Sequence, residues 1–365
     1  MGLSILHPSS LRVTQNRRNF LTTFGLVTLA TQFPLIAKGT PSPNTILKPP
    51  CIKVGDTVGL VAPAGYIDQK DIEDITATLA TLSLKVKLGA HVLSRYGYLA
   101  GTDANRAADV NAMFADSSVQ VILPMRGGWG CNRILPLLDY SLIRSHPKIL
   151  MGLSDITSLL IAIYAKSGVV TFHGATGQST WNPFTVDYVK RILFNGEVLT
   201  LQNLLENDDH LNTTEFRVET ITPGKVRGKL VGGNLSVLAA MVGSPYLPPW
   251  KNTILFVEEI REEIYRVDRL LTQLKLAGIL EQIAGFVFGQ CTDCHRLTQE
   301  STQKDGQESL TLAQVLSDHI QPLGIPAWYG SMIGHIKNKF TLPIGADVEI
   351  DASKGTIQLL ESAVT

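Results

Sequence analysis

From residue 51 onwards, short apolar runs alternate with longer segments whose apolar residues recur at helical spacing. Strands that alternate with helices favour right-handed crossovers and a parallel sheet covered on both faces. The sequence therefore predicts an N-terminal α/β domain, flavodoxin-like, over residues 51–180. Its predicted strands are Thr57–Val61, Leu84–Leu88, Val119–Pro124, the apolar run before Ser154 and Val169–His173. Its predicted helices are Asp68–Ser83, Thr102–Phe114, Asn132–Leu138 and Ser154–Lys166.

The pattern changes after residue 180. Residues 181–224 are rich in Asn, Asp and Glu, and we interpret them as a helix and a connector. Beyond them strand-like runs outnumber helical ones, and Tyr265–Ala277 has the apolar stripe of an amphipathic helix. Residues 225–352 are therefore predicted to form a mixed, β-rich C-terminal domain. Its predicted strands are Lys225–Leu230, Thr253–Ile260, Ile283–Gly289, Ile325–Trp328 and Asp347–Ile350.

The stretch from Lys148 to Leu160 changes from an apolar run to a helical pattern directly after Ser154. A serine at a strand-to-helix turn exposes its Oγ beside the first free N–H groups of the helix, as a nucleophile requires. A simple helix N-cap is the alternative interpretation of Ser154. This turn and the glycine loop at Gly127 both fall at carboxyl ends of predicted parallel strands, the usual place for a reactive site.

Composition excludes some classes of function. Lysine plus arginine and aspartate plus glutamate both number 32, so the formal charge is zero, and no basic run follows residue 20. Nothing therefore suggests a nucleic-acid surface. The chain has neither a P-loop nor a Gly-x-Gly-x-x-Gly motif at the start of a helix, so no nucleotide cofactor is expected, and no metal site is predicted.

Residues 1–39 differ from the rest of the chain. Arg17-Arg18 and Phe20-Leu21 precede a moderately apolar stretch that ends in small residues near Ala37. Paired arginines before a weakly apolar region are typical of a twin-arginine export signal, and the stretch is too short and too polar for a stable membrane span. We expect export to the periplasm or beyond, with residues 40–50 as an extended linker. The alternative is a disordered extension on a cytoplasmic protein.

A serine nucleophile needs a base, and the base needs an orienting acid. His173 at a strand end and His335 after a glycine are the plausible bases. Glu258 and Glu259 end an apolar strand, and one of them must face inward because successive strand side chains point to opposite faces. A buried carboxylate needs a partner, and a histidine N–H is a good one. The residues alone leave both choices open.

A series of short motifs follows one order along residues 57–350. They are Tyr98–Asp103, Arg106–Asn111, Arg126–Gly130, Gly152–Thr157, Gly232–Leu235, Val257–Glu259, Tyr265–Arg269, Gly334-His335 and Leu342–Gly345. In this order they resemble the LD-carboxypeptidases of serine peptidase family S66, which also includes the microcin C self-immunity proteins. The resemblance implies an active site in the cleft between the two domains, and a homodimer.

The resemblance also implies a Ser-Glu-His triad. Carried over to this chain, Ser154 is the nucleophile, His335 is the general base and Glu258 is the acid that orients the imidazole. His173 is then expected to be structural, with its ring bonded to backbone near the cleft. Glu259 is expected to face the other side of its strand.

An oxyanion hole of backbone N–H groups is implied as well. Asp155 follows the nucleophile and supplies one N–H group, and Gly128 in the Gly127–Gly128 loop supplies the other. Trp129 and Asn234 are the expected substrate-binding residues. The family commonly has tyrosine at the position of Trp129, so an aromatic wall is kept and a hydroxyl is lost.

Cys291-Thr292-Asp293-Cys294-His295 has the spacing of a c-type haem attachment site, and such a pair can also bind metal or form a redox pair. The sequence has no second Cys-x-x-Cys to complete a zinc site. A disulfide, which export would favour, and an idle pair are the alternatives.

The resulting hypothesis is a cofactor-free serine carboxypeptidase that releases the terminal D-alanine of murein tetrapeptides. Its substrate class is implied by the resemblance, and its expected partner is a small muropeptide. One alternative is an immunity-type hydrolase of peptidyl or aminoacyl nucleotides. The other is a two-lobed, non-catalytic muropeptide-binding protein, which would have no need of Ser154, Glu258 and His335 together.

Overall fold

The computed structural model describes residues 45–204, 217–294 and 309–365. The expected export signal, residues 1–39, and the first half of the expected linker lie outside the described residues. Among the residues described, every helix is too short or too polar to cross a lipid bilayer.

The first sheet carries the predicted N-terminal domain. Its strands are β1 Thr57–Val61, β2 Lys85–Leu88, β3 Val121–Pro124, β4 Ile149–Gly152, β5 Thr171–His173 and β12 Leu342–Ile344. They lie in the order β12-β5-β4-β3-β1-β2, with β1 to β5 parallel and β12 antiparallel to β5. The parallel strands thus have the flavodoxin-like order 2-1-3-4-5, which confirms the predicted fold class.

The helices of this half begin and end at residues suited to those positions. Asp68 caps the first helix through a capping box, and Ile72, Ile75 and Leu79 on its inner face are buried. Gly168, in the left-handed conformation, ends the helix that follows Ser154. The helices are Gln69–Thr81, Asp103–Ala115, Cys131–Ile134, Tyr140–Ser145, Thr157–Ser167 and Pro183–Val189.

The second sheet is mixed, as predicted. Its strands are β6 Thr200–Leu201, β7 Glu219–Thr222, β8 Lys225–Asn234, β9 Thr253–Ile260, β10 Gly285–Thr292, β11 Ala327–Tyr329, β13 Asp347–Asp351 and β14 Thr356–Leu359. Their order is β6-β14-β13-β8-β9-β10-β11-β7. Strands β8 to β11 are parallel to one another, and antiparallel strands flank them on both sides. The helices described in this half are Leu235–Ala240, Ile264–Leu276 and Leu312–Ile320.

The boundaries of the C-terminal domain differ from the predicted 225–352. Strands β6 and β7 lie in the expected connector but join the second sheet, and β14 extends that sheet beyond residue 352. Strand β12 leaves the second half of the chain and pairs with β5 in the first sheet. Both sheets belong to one compact unit.

The helix after Ser154 lies where the two halves meet. Five consecutive residues, Leu159–Ile163, are fully buried, because neighbours cover this helix on nearly every side. At its start, the Oγ1 of Thr157 accepts a hydrogen bond from the backbone N–H of Asn234 at the end of β8, at 3.0 Å. The turn at Ser154 is therefore held directly against the second sheet.

Candidate active site

Ser154 occupies the turn between β4 and the following helix in a strained conformation. Its φ is +64°, which is uncommon for a residue with a side chain. The first turn is a 3₁₀ turn, Ser154–Ile156, and the side chain of Ser154 caps neither this turn nor the helix that begins at Thr157. The N-cap interpretation is therefore wrong, and the half-buried hydroxyl is left for another use.

The glycine loop at residues 127–128 lies against this turn. A Cβ on Gly127 would stand 2.7 Å from the Cβ of Ser154, so only glycine fits there. The carbonyl of Gly127 accepts a hydrogen bond from the N–H of Gly65 at 3.2 Å. Because the two groups of a trans peptide point in opposite directions, the N–H of Gly128 points away from Gly65. Gly128, with φ of +120°, lines the same cleft as Ser154.

Asp155 fastens the turn from inside. Its buried carboxylate accepts a hydrogen bond from the backbone N–H of Cys131 at 2.8 Å, at the start of the helix that follows the glycine loop. Burial raises the pKa of Asp155, and the contact with Cys131 opposes that rise. The side chain thus ties the glycine loop to the turn at Ser154.

Glu258 and His335 form a pair from the second half of the chain. The Nδ1 atom of His335 lies 2.7 Å from Oε2 of Glu258, and the Glu258 side chain is fully buried. Burial opposes the charge of the imidazole, but the adjacent carboxylate outweighs it and raises the pKa of His335. Burial likewise opposes the charge of Glu258, and the imidazole outweighs it, so the pKa of Glu258 is lowered.

Glu259 faces a different set of partners. Its Oε2 accepts hydrogen bonds from the N–H and the hydroxyl of Ser236, both at 2.8 Å, and its Oε1 accepts one from the N–H of Ile260. Burial raises the pKa of Glu259. The alternation along β9 therefore directs Glu258, and not Glu259, to the imidazole.

Asn234 does not line the cleft, in contrast to the expected substrate contact. Its side chain caps the Leu235–Ala240 helix by accepting a hydrogen bond from Val237 N–H, and it donates another to Glu259 at 3.1 Å. With 4% of its surface exposed, Asn234 supports the strand end that carries the glutamates.

His173 is structural in position, but its contacts differ from the expected backbone bonds. The residue is 1% exposed, and neither ring nitrogen has a hydrogen-bond partner among the described residues. The ring meets Phe256 edge to face, with centroids 5.3 Å apart. Burial lowers the pKa of His173 to about 4, despite the opposing effect of Glu258. Because His173 is buried and does not line the cleft, it cannot serve as the base.

Ser154 and His335 open into one cleft of about 490 Å³. Trp129 stands beside it, 75% exposed, but is not among the residues that line it. Four cationic side chains line the cleft, and the described part of its lining includes no Asp or Glu. The lining residues are Arg126, Gly127, Gly128, Leu153, Ser154, Thr176, Gln178, Ser179, Thr180, Ile260, Arg261, His335, Ile336, Lys337 and Lys339.

The loop at residues 176–180 and the lysines after His335 were not predicted from the sequence to line the cleft. A polar loop after a strand carries no periodic signal. The position of the loop after β5, at the carboxyl end of a parallel strand, is the one clue that could have indicated it.

Cys291 and Cys294 form a disulfide. Their sulfurs are therefore bonded to each other and not to a haem or a zinc ion, and the idle-pair interpretation is wrong. Cys291 pairs in register with Glu259 and Thr292 with Ile260, so the disulfide lies at the end of the strand next to β9.

Comparison with known proteins agrees with this geometry. Residues 58–174 match the model of the LD-carboxypeptidase N-terminal domain, and residues 227–350 match that of the C-terminal domain. A Bacillus subtilis protein named probable murein peptide carboxypeptidase is 38% identical over 87% of this chain and 95% of its own length.

Two solved structures extend the comparison. The protein MccF, solved in complex with glutamyl sulfamoyl guanosine, superposes with a TM-score of 0.77 at 26% identity, over 87% of this chain and all of its own. A muramoyltetrapeptide carboxypeptidase from Oxalobacter formigenes superposes with a TM-score of 0.69 at 28% identity, over 83% of this chain and 97% of its own.

Proposed function

Because this chain belongs to the LD-carboxypeptidase family of serine peptidases, we propose that it hydrolyses the L,D-peptide bond that releases terminal D-alanine from murein tetrapeptides. The main support for the proposal is that Ser154 and His335, whose imidazole is bonded to Glu258, line one cleft together with four cationic side chains. Murein tetrapeptides bear several carboxylates, and a cationic lining favours such substrates over neutral peptides.

In the proposed reaction, the Oγ of Ser154 attacks the carbonyl carbon of the scissile bond. The free Nε2 of His335 takes the hydroxyl proton and then donates it to the departing amine of D-alanine. Glu258 holds Nδ1–H, which fixes the tautomer and stabilises the imidazolium.

The N–H groups of Gly128 and Asp155 are proposed to bind the oxyanion of the tetrahedral intermediate. The strained turn of Ser154 supports this role, because it brings Oγ and the next backbone N–H to the same carbonyl. Water then attacks the acyl-enzyme with His335 as base, and the shortened peptide leaves with a free carboxylate.

The test uses the purified protein and a disaccharide-tetrapeptide, with products identified by mass spectrometry. We expect release of D-alanine, and no release from the matched peptide that ends in L-alanine. Ser154→Ala is the control for a contaminating peptidase. Intact D-peptide after incubation with a folded protein would reject the murein substrate.

A second candidate function is supported by the similarity to MccF bound to glutamyl sulfamoyl guanosine. Aminoacyl sulfamoyl nucleosides would enter the same cationic cleft, and the same triad could cleave an acyl linkage of a peptidyl or aminoacyl nucleotide. Parallel assays on both substrates decide between them. A fluorophosphonate probe that labels Ser154 would reject the non-catalytic binding protein.

A further inference from the structure

Three of the four cationic side chains in the cleft either have a partner outside it or are exposed to solvent. Nη1 of Arg126 donates a hydrogen bond to the carbonyl of Tyr66 at 3.3 Å. Arg261 has 78% of its side chain exposed and lies 3.8 Å from Asp293. Lys337 is exposed to solvent. Exposed or partnered cations of this kind need no ligand to justify their position.

Lys339 differs from all of them. It lines the cleft, yet only 4% of its surface is exposed, and its ammonium makes no hydrogen bond or ion pair with any other residue in the described ranges. Burial lowers the pKa of Lys339 to about 8, although Glu258 acts to raise it. An ammonium on a side chain with so little exposure, and with no hydrogen-bond or ion-pair partner, is costly. Its place in a substrate cleft indicates an anion that arrives with the substrate.

We propose that Lys339 forms the subsite for the C-terminal carboxylate of the substrate. This inference rests on the proposed carboxypeptidase function, because only an exopeptidase has that carboxylate next to the scissile bond. Lys339 shortly precedes β12, which pairs with β5, and the polar loop that follows β5 lines the same wall of the cleft. The leaving D-alanine therefore binds on this wall, with the ammonium on its carboxylate.

The subsite explains how the cleft selects a chain end. When the ammonium binds the terminal carboxylate, the last peptide bond of the substrate lies at Ser154. A peptide with further residues after that bond has no terminal carboxylate at this distance and binds less well. With a pKa of about 8, Lys339 is mostly charged at neutral pH. The charged groups that act on it or respond to it are Glu258, His173 and His335.

The test compares one peptide in two forms, with a terminal D-alanine or a terminal D-alaninamide. The wild-type protein should prefer the acid. In Lys339→Met, kcat/KM for the acid should fall about 10- to 100-fold, the loss of one charged hydrogen bond, mainly through KM, while the value for the amide stays within about twofold. Lys275→Met, on the exposed face of the Ile264–Leu276 helix, is the matched control and should change neither value.

A second measurement, on the wild-type protein, tests the subsite even if the variant does not fold. KM for the acid should rise as the pH passes about 8, where Lys339 loses its proton, and KM for the amide should not. Equal losses on acid and amide in Lys339→Met, or parallel pH profiles of the two KM values, would overturn the subsite. Failure of the wild-type protein to cleave either form would instead reject the proposed function.

Discussion

The backbone of Gly334 lies directly against the carboxylate of Glu258. A Cβ on Gly334 would stand 2.8 Å from Oε2 and 2.9 Å from the Cβ of Glu258. The φ of this glycine is +120°, a region that other residues avoid. The side chain of Glu258 therefore leaves room only for a glycine at position 334, directly before the proposed base His335.

We expect Gly334→Ala to displace the imidazole and to lower kcat by roughly 100-fold, because reacting groups tolerate little misplacement. Gly243→Ala is the matched control, since Gly243 also has a positive φ, +85°, but nothing lies within 4 Å of its Cβ position. Both variants should lose stability in thermal unfolding. Activity near wild type in Gly334→Ala would show that the close packing is unimportant.

Ser154→Ala should abolish hydrolysis, with a loss of about 10⁴-fold or more in kcat, while the fold stays intact. Ser154→Gly should be equally inactive. Its free energy of unfolding should exceed that of the wild type by about 1 kcal/mol, because glycine relieves the strain at φ +64°. Kinetics on a murein tetrapeptide and denaturant unfolding measure the two effects. A mutant that keeps a tenth of the activity would disprove the nucleophile.

The pH profile should report the pair of His335 and Glu258. The base acts when neutral, so kcat/KM should increase with pH through the raised pKa of His335. Glu258→Gln removes the carboxylate and leaves burial, which lowers the pKa of His335. The acid limb should therefore move to lower pH, while kcat falls because the tautomer is no longer fixed.

Glu259→Gln provides the contrast. It should reduce stability, because Ser236 and Asn234 lose a charged partner, with a smaller change in the acid limb. If Glu259→Gln is inactive and Glu258→Gln is near normal, the roles of the two glutamates are reversed.

His173 should make the protein less stable in acid. Its pKa is about 4 in the folded state and 6.5 in the unfolded chain, so protons bind preferentially to the unfolded state between these values. The free energy of unfolding should therefore decrease as the pH drops from about 6.5 to about 4, by about 3 kcal/mol in total. His335, with a raised pKa, contributes in the opposite sense, so the slope is read from the difference between the wild type and His173→Leu. An unchanged slope in the variant would contradict a buried neutral His173.

The export prediction concerns residues outside the described ranges. Arg17→Lys combined with Arg18→Lys should leave an unprocessed precursor in the cytoplasm, because the twin-arginine route depends on both arginines. The Cys291–Cys294 disulfide agrees with an oxidising destination. Cell fractionation measures the effect, and an unchanged distribution would show that the leader is not a signal.

Much of the fold could be predicted because the spacing of apolar residues distinguishes strands from helices in both halves of the chain. Apolar runs separated by helices indicate parallel strands, and the predicted Thr253–Ile260 coincides with β9. The helix Leu312–Ile320 was missed, although Thr311 and Gln314 form a capping box that could have marked its start.

The choice of partners could not be predicted in the same way. The amide of Asn234 could turn to the cleft or to Glu259, and only the packing of β8 against β9 decides between them. The ring of His173 has no hydrogen-bond partner in the part of the chain described here, whereas any sequence argument assigns one. Lys339 is one lysine in a polar run, and its importance comes from burial, which has no signature in sequence.

Strand β12 comes from the second half of the chain but forms the edge of the first sheet, and this links the two halves. His335 lies shortly before β12, whose Leu342 pairs with His173 in the sheet that carries Ser154. Because this pairing joins the second half of the chain to the first sheet, it opposes a hinge-like opening of the cleft. A chimera that joins the first half of one relative to the second half of another would also exchange the edge strand of the sheet that carries Ser154. Its activity would then depend on how well the foreign strand pairs with β5, whatever the length of the connector.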